Sequence, residues 1–296
     1  MGAAHPEYLV EPEWLADRLD DPTVRVLDVT AQLDRELVNH AKAACFDAAH
    51  LPGSVFFDVS SARGALSDPH AELPWTWPRS SWVDERLAEA GVADDTTVVL
   101  VARTPREGID SGTMWCTRAW WTLHHMGVDC RILRGGLERW EAEGRPLTDE
   151  PTAVSPGSVR TSEAAAGACA SKEDVLAALE SGRSCVLDAL PASSFDGTDG
   201  GYGPRRGHIT GAVNLPFRGL VERETAAFPD ADVLRERVDA LGLLDHERVV
   251  TYCGGAIAAT VPAFVLAMLG HDDVGVYDGS LMEWAADESL PMTDPS

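Results

Sequence analysis

The chain has 296 residues, of which 45% are hydrophobic, so it can form one large domain or two of ordinary size. Its 48 acidic and 24 basic residues give a formal net charge of −24, which excludes nucleic acid and anionic membranes as main partners. Six scattered cysteines do not resemble a disulfide framework, and the sequence shows neither a secretion signal nor a bilayer-length apolar run, so we expect a soluble, cytoplasmic protein.

The first half of the chain alternates between helix and strand patterns. Helices are predicted at residues 11–19, 81–90 and 114–126, and strands at 24–29, 97–102 and 131–133. A loop with the sequence His50-Leu51-Pro52-Gly53-Ser54-Val55 follows the first strand, and Gly135-Gly136-Leu137 follows the last. This alternation is typical of an α/β domain with a mainly parallel sheet.

The second half repeats the same features in the same order. The strand at 186–188 matches 26–28, His208-Ile209-Thr210-Gly211-Ala212-Val213 matches the His50 loop, the strand at 249–252 matches 98–101, and Asp278-Gly279-Ser280-Leu281 matches residues 134–137. Four matches in order indicate a duplicated domain. A Pro-, Gly-, Ser- and Ala-rich stretch at residues 144–170 is the natural connection. We therefore predict tandem domains at 1–152 and 153–296.

Cys253 is the candidate nucleophile. It ends the apolar strand Val249-Val250-Thr251-Tyr252, is followed by Gly254 and Gly255, and precedes a helix predicted at 257–269. Unpaired N–H groups and the helix dipole at such a corner favour a thiolate, which is the reactive form of cysteine. The other five cysteines lie outside glycine-rich corners and are interpreted as small buried hydrophobes.

The duplication provides an internal comparison for this cysteine. Aligning the strands at 98–101 and 249–252 places Ala102 at the position of Cys253. The first domain therefore lacks the nucleophile, and we expect it to be a scaffold and one wall of a cleft. Only the second domain is expected to be catalytic.

These motifs together resemble the two-domain rhodanese-type sulfurtransferases, the family of thiosulfate and 3-mercaptopyruvate sulfurtransferases. The resemblance rests on the paired His-x-x-Gly-[Ala/Ser]-Val motifs at His50 and His208, the residues 118–121 (Arg-Ala-Trp-Trp), the two Gly-x-Leu turns and the Cys253 loop. It implies two rhodanese-like domains, each a mainly parallel sheet flanked by helices, of which the first is inactive.

The resemblance also implies the chemistry. Cys253 would take a sulfur from a small anionic donor as a persulfide and pass it to cyanide, a thiol or a thioredoxin-like protein, with no metal or organic cofactor. Main-chain N–H groups of the active-site loop would hold the persulfide. That loop consists of Gly254, Gly255, Ala256, Ile257 and Ala258.

Several candidate donor-binding residues follow from the resemblance. The acidic and histidine helpers of the inactive domain map onto Asp58 and His70, which would orient or protonate the donor. The family's substrate arginine after the Asp188 strand is replaced, so Arg205 and Arg206 are the nearest residues for an anionic group. The alternative for each of these four is an ordinary loop or solvated role.

Two loop positions depart from the family. Gly255 stands where mercaptopyruvate enzymes place a serine, and Ala256 stands where the family prefers glycine, so a positive φ there would strain the backbone by ~1 kcal/mol or more.

Two other functions compete with a sulfurtransferase that uses small donors. One is a pathway-specific persulfide carrier, since a protein donor needs no small-anion pocket. The other is a cysteine phosphatase, which needs an arginine six positions after the cysteine; Ala259 stands there and argues against it.

Overall fold

A computed structural model describes residues 2–106, 111–222 and 227–294, and its contacts divide the chain into two compact units. The N-terminal unit comprises Glu7–Ala164 with Arg223–Phe228. The C-terminal unit comprises Ala165–Glu222 and Pro229–Ser296 with Met1–Pro6. Within the described ranges, no helix is both long and apolar enough to cross a bilayer.

The N-terminal unit contains a five-stranded parallel sheet. Its strands are β1 (Leu9–Val10), β2 (Val24–Asp28), β3 (Val55–Phe56), β4 (Thr97–Val101) and β5 (Cys130–Leu133), arranged in the order β1-β5-β4-β2-β3. The helices are α1 (Pro12–Ala16), α2 (Ser80–Glu89), α3 (Gly112–His125) and α4 (Gly136–Ala142), with a π-helical turn at Lys42–Phe46. Residues 98–101 of β4 are fully buried, as their continuous apolar run predicts.

The C-terminal unit repeats this sheet. Its strands are β6 (Cys169–Ala170), β7 (Ser184–Asp188), β8 (His208–Ile209), β9 (Val213–Asn214), β10 (Arg248–Tyr252), β11 (Val274–Tyr277) and β12 (Met292–Thr293). Five of them form a parallel sheet in the order β6-β11-β10-β7-β9, and β8 pairs with β12 antiparallel. The helices are α5 (Lys172–Ser181), α6 (Ala192–Phe195), α7 (Ala231–Asp239), α8 (Thr260–Met268) and α9 (Ser280–Trp284). The 3₁₀ helices of the chain lie at Pro6–Tyr8, Phe217–Leu220 and Leu243–Asp245.

Matching side chains confirm that the two units are copies of one fold. Trp140 follows the turn after β5, is fully buried, and donates its indole N–H to the carbonyl of Pro146 at 2.9 Å. Trp284 is its counterpart after β11, is equally buried, and donates to the carbonyl of Pro291 at 3.0 Å. The α/β class with two domains, each a parallel sheet flanked by helices, is therefore confirmed.

The contacts divide the chain between Ala164 and Ala165, later than the boundary placed near residue 152. The cause is a set of hydrogen bonds that fasten the connecting stretch to the N-terminal unit. Gly157 N–H donates to the Ala88 carbonyl at 2.8 Å, and Thr161 N–H donates to Asp84 Oδ1 at 2.7 Å. Composition identified the connection, but it carries no information on which unit such an extended segment joins.

Candidate active site

Cys253 lies directly after the central strand of the C-terminal sheet. β10 is flanked by β7 and β11, and its β-branched residues Val249, Val250 and Thr251 are fully buried. The chain then makes a turn over residues 254–259, and α8 begins at Thr260 rather than at residue 257 as predicted. The sequence pattern overestimated the helix because Ile257, Ala258 and Ala259 are apolar in the loop as well as in the helix.

Main-chain N–H groups of the loop act electrostatically on the Cys253 sulfur. Burial raises the pKa of the Cys253 thiol above its usual value, while hydrogen bonds from the N–H groups of Ala259, Gly255 and Ile257 lower it and the charge of Asp188 raises it further. Only 2% of Cys253 is exposed. The expectation of a favoured thiolate is therefore wrong for this conformation: the amides are in place, but burial of the sulfur outweighs them.

Ala256 adopts the left-handed backbone conformation that a family preference for glycine at this position implies. Its φ is +59° and its side chain is fully buried. Such a conformation costs an L-residue about 1–2 kcal/mol compared with glycine, so the loop must be held in place by its surroundings.

Ser280 contacts this loop and is a site residue that the sequence motifs did not indicate. Its Oγ accepts N–H bonds from Cys253 at 3.3 Å and from Ala256 at 3.0 Å. The Ala256 N–H is therefore bonded to Ser280, which differs from the expectation that all the amides from 254 to 258 hold the sulfur. The available signal was the serine at position 280, where the repeated turn of the first half has Gly136.

Tyr202 covers the other side of the loop and was also missed. A Cβ added to Gly254 would lie 2.1 Å from Tyr202 Cε1, so the aromatic ring rests directly on the Gly254 backbone. Although 43% of Tyr202 is exposed, burial near its hydroxyl raises its pKa to about 12, and the charges of Cys253, Asp188 and Asp199 act in the same direction. A glycine at 254 is needed for this contact.

Asp188 is a buried carboxyl group at the end of β7, next to the cysteine strand. Burial raises the pKa of Asp188 to about 6, although the Leu190 N–H, the Tyr252 hydroxyl and His208 lower it. Leu190 N–H donates to Asp188 Oδ1 at 2.7 Å. Among the described residues, Asp188 Oδ2 has no hydrogen-bond partner. A negative charge here opposes formation of the Cys253 thiolate.

Arg205 does not present its guanidinium to a ligand in this structure. Its nitrogens donate to four main-chain carbonyls: Trp284 at 2.6 Å, Ala285 at 3.1 Å, Asp287 at 2.5 Å and Leu290 at 2.8 Å. These bonds occupy Nε and both terminal nitrogens, so Arg205 holds the last residues of the C-terminal unit in place. The assignment of Arg205 to donor binding is therefore corrected. Arg206 is exposed and lies beside Gly201 in the loop that carries Tyr202.

Asp58 and His70 lie in the N-terminal unit, in two different surface cavities. Asp58 lines a cavity of about 380 Å³ and accepts hydrogen bonds from the N–H groups of Ser60 and Ser61 and from the Ser61 hydroxyl at 2.6 Å. His70 is exposed and lines a cavity of about 280 Å³ with Arg79.

Comparisons with known proteins identify the family. The model of the rhodanese-like domain matches residues 11–143 and 171–287, so this chain belongs to the rhodanese family and carries two copies of its domain. The predicted class, a sulfurtransferase of this family, is confirmed.

Three relatives illustrate the match. The sulfur carrier protein TtuD of Thermus thermophilus is 31% identical over 99% of this chain and 98% of its own. The 3-mercaptopyruvate sulfurtransferase of Escherichia coli K12 is 31% identical over 96% of this chain and 97% of its own. The crystal structure of SseA, a 3-mercaptopyruvate sulfotransferase from Escherichia coli, matches with a TM-score of 0.77 at 30% identity, covering 92% of this chain and 98% of that one.

Proposed function

We propose that this protein moves a sulfane sulfur from a small donor, 3-mercaptopyruvate or thiosulfate, through a persulfide on Cys253 to a thiophilic acceptor. The observation that carries the proposal is the place of Cys253 at the end of the central strand, before a turn at residues 254–259 whose N–H groups on Gly255, Ile257 and Ala259 lower the pKa of the thiol. Fixed donors of this kind stabilise a sulfur anion as an oxyanion hole stabilises oxygen, because they need no reorganisation when the charge forms.

In the first step the Cys253 thiol loses its proton to solvent, and the thiolate forms an S–S bond with the outer sulfur of the donor. With thiosulfate, the bond between its two sulfurs breaks and the electron pair leaves with sulfite. With mercaptopyruvate, the C–S bond breaks, the pair leaves as the enolate of pyruvate, and the proton of the donor thiol ends on that carbon. In both cases the Cys253 persulfide keeps the outer sulfur as an anion facing the loop amides.

The second step returns the enzyme to its starting state. A cyanide ion or thiolate attacks the outer sulfur, the new bond forms to the acceptor, and the S–S electron pair returns to Cys253 as a thiolate. A small thiol or a thioredoxin-like protein would serve as the acceptor. Because donor and acceptor react in separate steps, ping-pong kinetics are expected.

Donor binding is proposed for three residues. Arg206 remains the candidate cation for the donor's anionic group, since Arg205 is bonded to main-chain carbonyls. Asp58 and His70 are proposed as helpers on the family resemblance alone. Arg206→Ala, His70→Ala and Asp58→Asn should each raise the donor KM, whereas an unchanged donor KM in all three variants would remove these assignments.

The test of the chemistry is intact-mass analysis after incubation with each donor. We expect a gain of one sulfur that disappears in Cys253→Ser and persists in Cys169→Ser, a matched control on the edge strand β6. A gain that survives in Cys253→Ser would place the sulfur elsewhere and refute the proposal.

A second candidate is a persulfide carrier that takes its sulfur from a protein donor. Two observations favour it: Arg205 is occupied by carbonyls, and one relative of similar length is named a sulfur carrier protein. Steady-state assays with cyanide separate the two, because an enzyme turns over repeatedly on a small donor. A carrier would be loaded once by its partner and show no turnover with either small donor.

We also propose a cytoplasmic location. The support is that all six cysteines are free thiols, as expected in a reducing compartment.

A further inference from the structure

Ser280 stands at the start of α9 in a conformation that is unusual for a residue with a side chain. Its φ is +46° and it is fully buried. Strained backbone of this kind persists only where the surroundings enforce it, and it is concentrated at functional sites. The serine therefore needs an explanation that a turn alone does not supply.

The equivalent turn of the N-terminal unit shows what this turn requires. Gly136 occupies the same place in the repeated turn of the N-terminal unit, with φ +57°, which is easily adopted by glycine. Both turns close in the same way: Leu137 N–H donates to the Ala102 carbonyl and Leu281 N–H donates to the Cys253 carbonyl, each at 3.0 Å. A glycine is thus sufficient for the turn, and the serine appears in the copy that carries the nucleophile.

The hydroxyl of Ser280 is fully used in the cysteine loop. It donates to the Tyr277 carbonyl at 2.8 Å and accepts from the N–H groups of Cys253 and Ala256. A hydroxyl has one donor and two acceptor sites, so no bonding capacity is left for a substrate. Ser280 therefore acts on the loop and not on the reacting atoms.

The hydrogen bond from the Ala256 N–H to Ser280 Oγ holds the peptide group between Gly255 and Ala256 in place. Without this bond the peptide group would tend to rotate. Rotation of the peptide between Gly255 and Ala256 would bring φ of Ala256 from +59° to a negative value and relieve its strain. The same rotation would move the neighbouring N–H groups, on Gly255 and Ile257, which lower the pKa of the Cys253 thiol. The Ser280 hydroxyl opposes this rotation by anchoring the Ala256 N–H.

We propose that Ser280 is a positioning residue for Cys253: its hydroxyl fixes the loop so that the amides of Gly255, Ile257 and Ala259 point at the sulfur. The inference rests on the proposed function only in taking Cys253 as the nucleophile. Its test uses thiol alkylation without any sulfur donor, so its failure would not be confused with a failure of persulfide formation.

The measurement is the pH dependence of iodoacetamide alkylation at Cys253, resolved by peptide mass, for wild type, Ser280→Ala and Ser280→Gly. Both variants lose the hydroxyl, and only glycine also relieves the positive φ at 280. We expect both to raise the pKa of the Cys253 thiol by about one unit or more, because the amides that favour the thiolate lose their alignment. Ser280→Gly should unfold at higher denaturant than Ser280→Ala and yet show the same shift.

Ser54→Ala is the matched control. Ser54 is also fully buried, and its hydroxyl donates to the Leu51 carbonyl at 2.7 Å in the N-terminal unit. It should lose stability without changing the alkylation profile of Cys253. If Ser280→Ala and Ser280→Gly leave that profile unchanged, or if the profile follows stability across all three variants, the serine is only a packing residue and the proposal is overturned.

A double substitution tests the mechanism itself. Ala256→Gly removes the strain that drives the peptide to rotate, so adding it to Ser280→Ala should recover at least half of the pKa shift. No recovery would show that Ser280 does not act through Ala256.

Discussion

Each unit contains its own five-stranded parallel sheet, and the two sheets have the same strand arrangement. The units differ in the residue that follows the central strand. β4 leads to Ala102 and β10 leads to Cys253, and each of these residues accepts the same N–H bond from the leucine of the following turn. The difference lies in the residues that follow. Three N–H groups of residues 254–259 lower the pKa of the Cys253 thiol, whereas Ala102 carries no sulfur on which such groups could act. The shared fold places a strand end at this position in both units, and only the C-terminal unit adds the cysteine and the loop that act on a substrate.

The matching space in the N-terminal unit is almost closed. A cavity of only about 10 Å³ remains beside Ala102, lined also by Gly136, Cys116 and the buried ring of Phe228. Burial raises the pKa of the Cys116 thiol well above its usual range. The cysteine that lines this cavity is therefore an unreactive, packed thiol, which fits a copy that has kept its core without the nucleophile.

The largest effect on stability is expected at Arg205, which bonds to the last residues of the C-terminal unit. The first half has no matching arginine, because Asp47 occupies the equivalent position. Arg205→Ala should lower the free energy of unfolding by about 2–4 kcal/mol, because four carbonyls lose a charged donor. Urea denaturation measures this. Exposed Arg206→Ala is the control and should change stability by less than about 0.5 kcal/mol. Unchanged stability in Arg205→Ala would contradict its structural role.

The second-largest effect on stability is expected at the carboxyl groups of Asp188 and Asp28, which end β7 and β2. The pKa of Asp188 is raised to about 6, so the folded protein binds this proton more tightly than the unfolded chain does. Stability from this group is present below about pH 4 and is lost as the pH rises through 6, so Asp188→Asn should stabilise the protein by about 2–3 kcal/mol at pH 7.5 and very little at pH 4. It should also lower the pKa of the Cys253 thiol, since a negative charge is removed.

Asp28 is the comparison for Asp188. Burial raises the pKa of Asp28 too, but Thr30, Arg103 and His50 oppose the shift. Asp28→Asn also removes the attraction between the Asp28 carboxylate and the Arg103 charge, which has no counterpart at Asp188, so it should give a smaller gain at pH 7.5. Equal gains from the two substitutions, or none from Asp188→Asn, would show that the two strand ends do not differ electrostatically in this way.

The contact between Tyr202 and Gly254 is expected to give an intermediate effect. Gly254→Ala places a methyl group 2.1 Å from Tyr202 Cε1, so we expect a loss of about 1–3 kcal/mol and faster alkylation of Cys253 as the ring is displaced. In a Tyr202→Ala background the same substitution should change stability by less than about 0.5 kcal/mol. If the cost of Gly254→Ala is the same in both backgrounds, Tyr202 does not cover the loop.

The smallest effect concerns the strain at Ala256. Ala256→Gly should raise the free energy of unfolding by about 0.5–1 kcal/mol, since relief of the positive φ exceeds the added freedom of the unfolded chain. Ala258→Gly is the control in the same loop; Ala258 has no positive φ, so the glycine should destabilise. Thermal unfolding distinguishes the two, and a loss in both would mean that Ala256 stores no strain.

The sequence predicted features that depend on local pattern. The buried runs of β4 and β10 marked the sheet centres, and the repeated turns aligned Ala102 with Cys253. The departure from glycine at 256 correctly indicated strain, because a family preference for glycine reflects a left-handed backbone position.

Other features depend on distant contacts and could not be obtained in this way. The four carbonyls bonded by Arg205 come from residues 284–290, about eighty positions away. Tyr202 reaches Gly254 from a loop with no regular pattern, and the net pKa shift of Cys253 depends on how deeply the sulfur is buried. Periodicity and turn chemistry describe neighbours along the chain and carry no signal for these contacts.

The most direct test of the central claim is to locate the transferred sulfur. Wild type, Cys253→Ser and Ala102→Cys are each incubated with mercaptopyruvate or thiosulfate and digested, and the mass of every cysteine-containing peptide is measured. We predict one added sulfur on the peptide of Cys253 in wild type and in Ala102→Cys, none in Cys253→Ser, and none at position 102. A persulfide on a cysteine of the N-terminal unit, or one that persists in Cys253→Ser, would contradict the account.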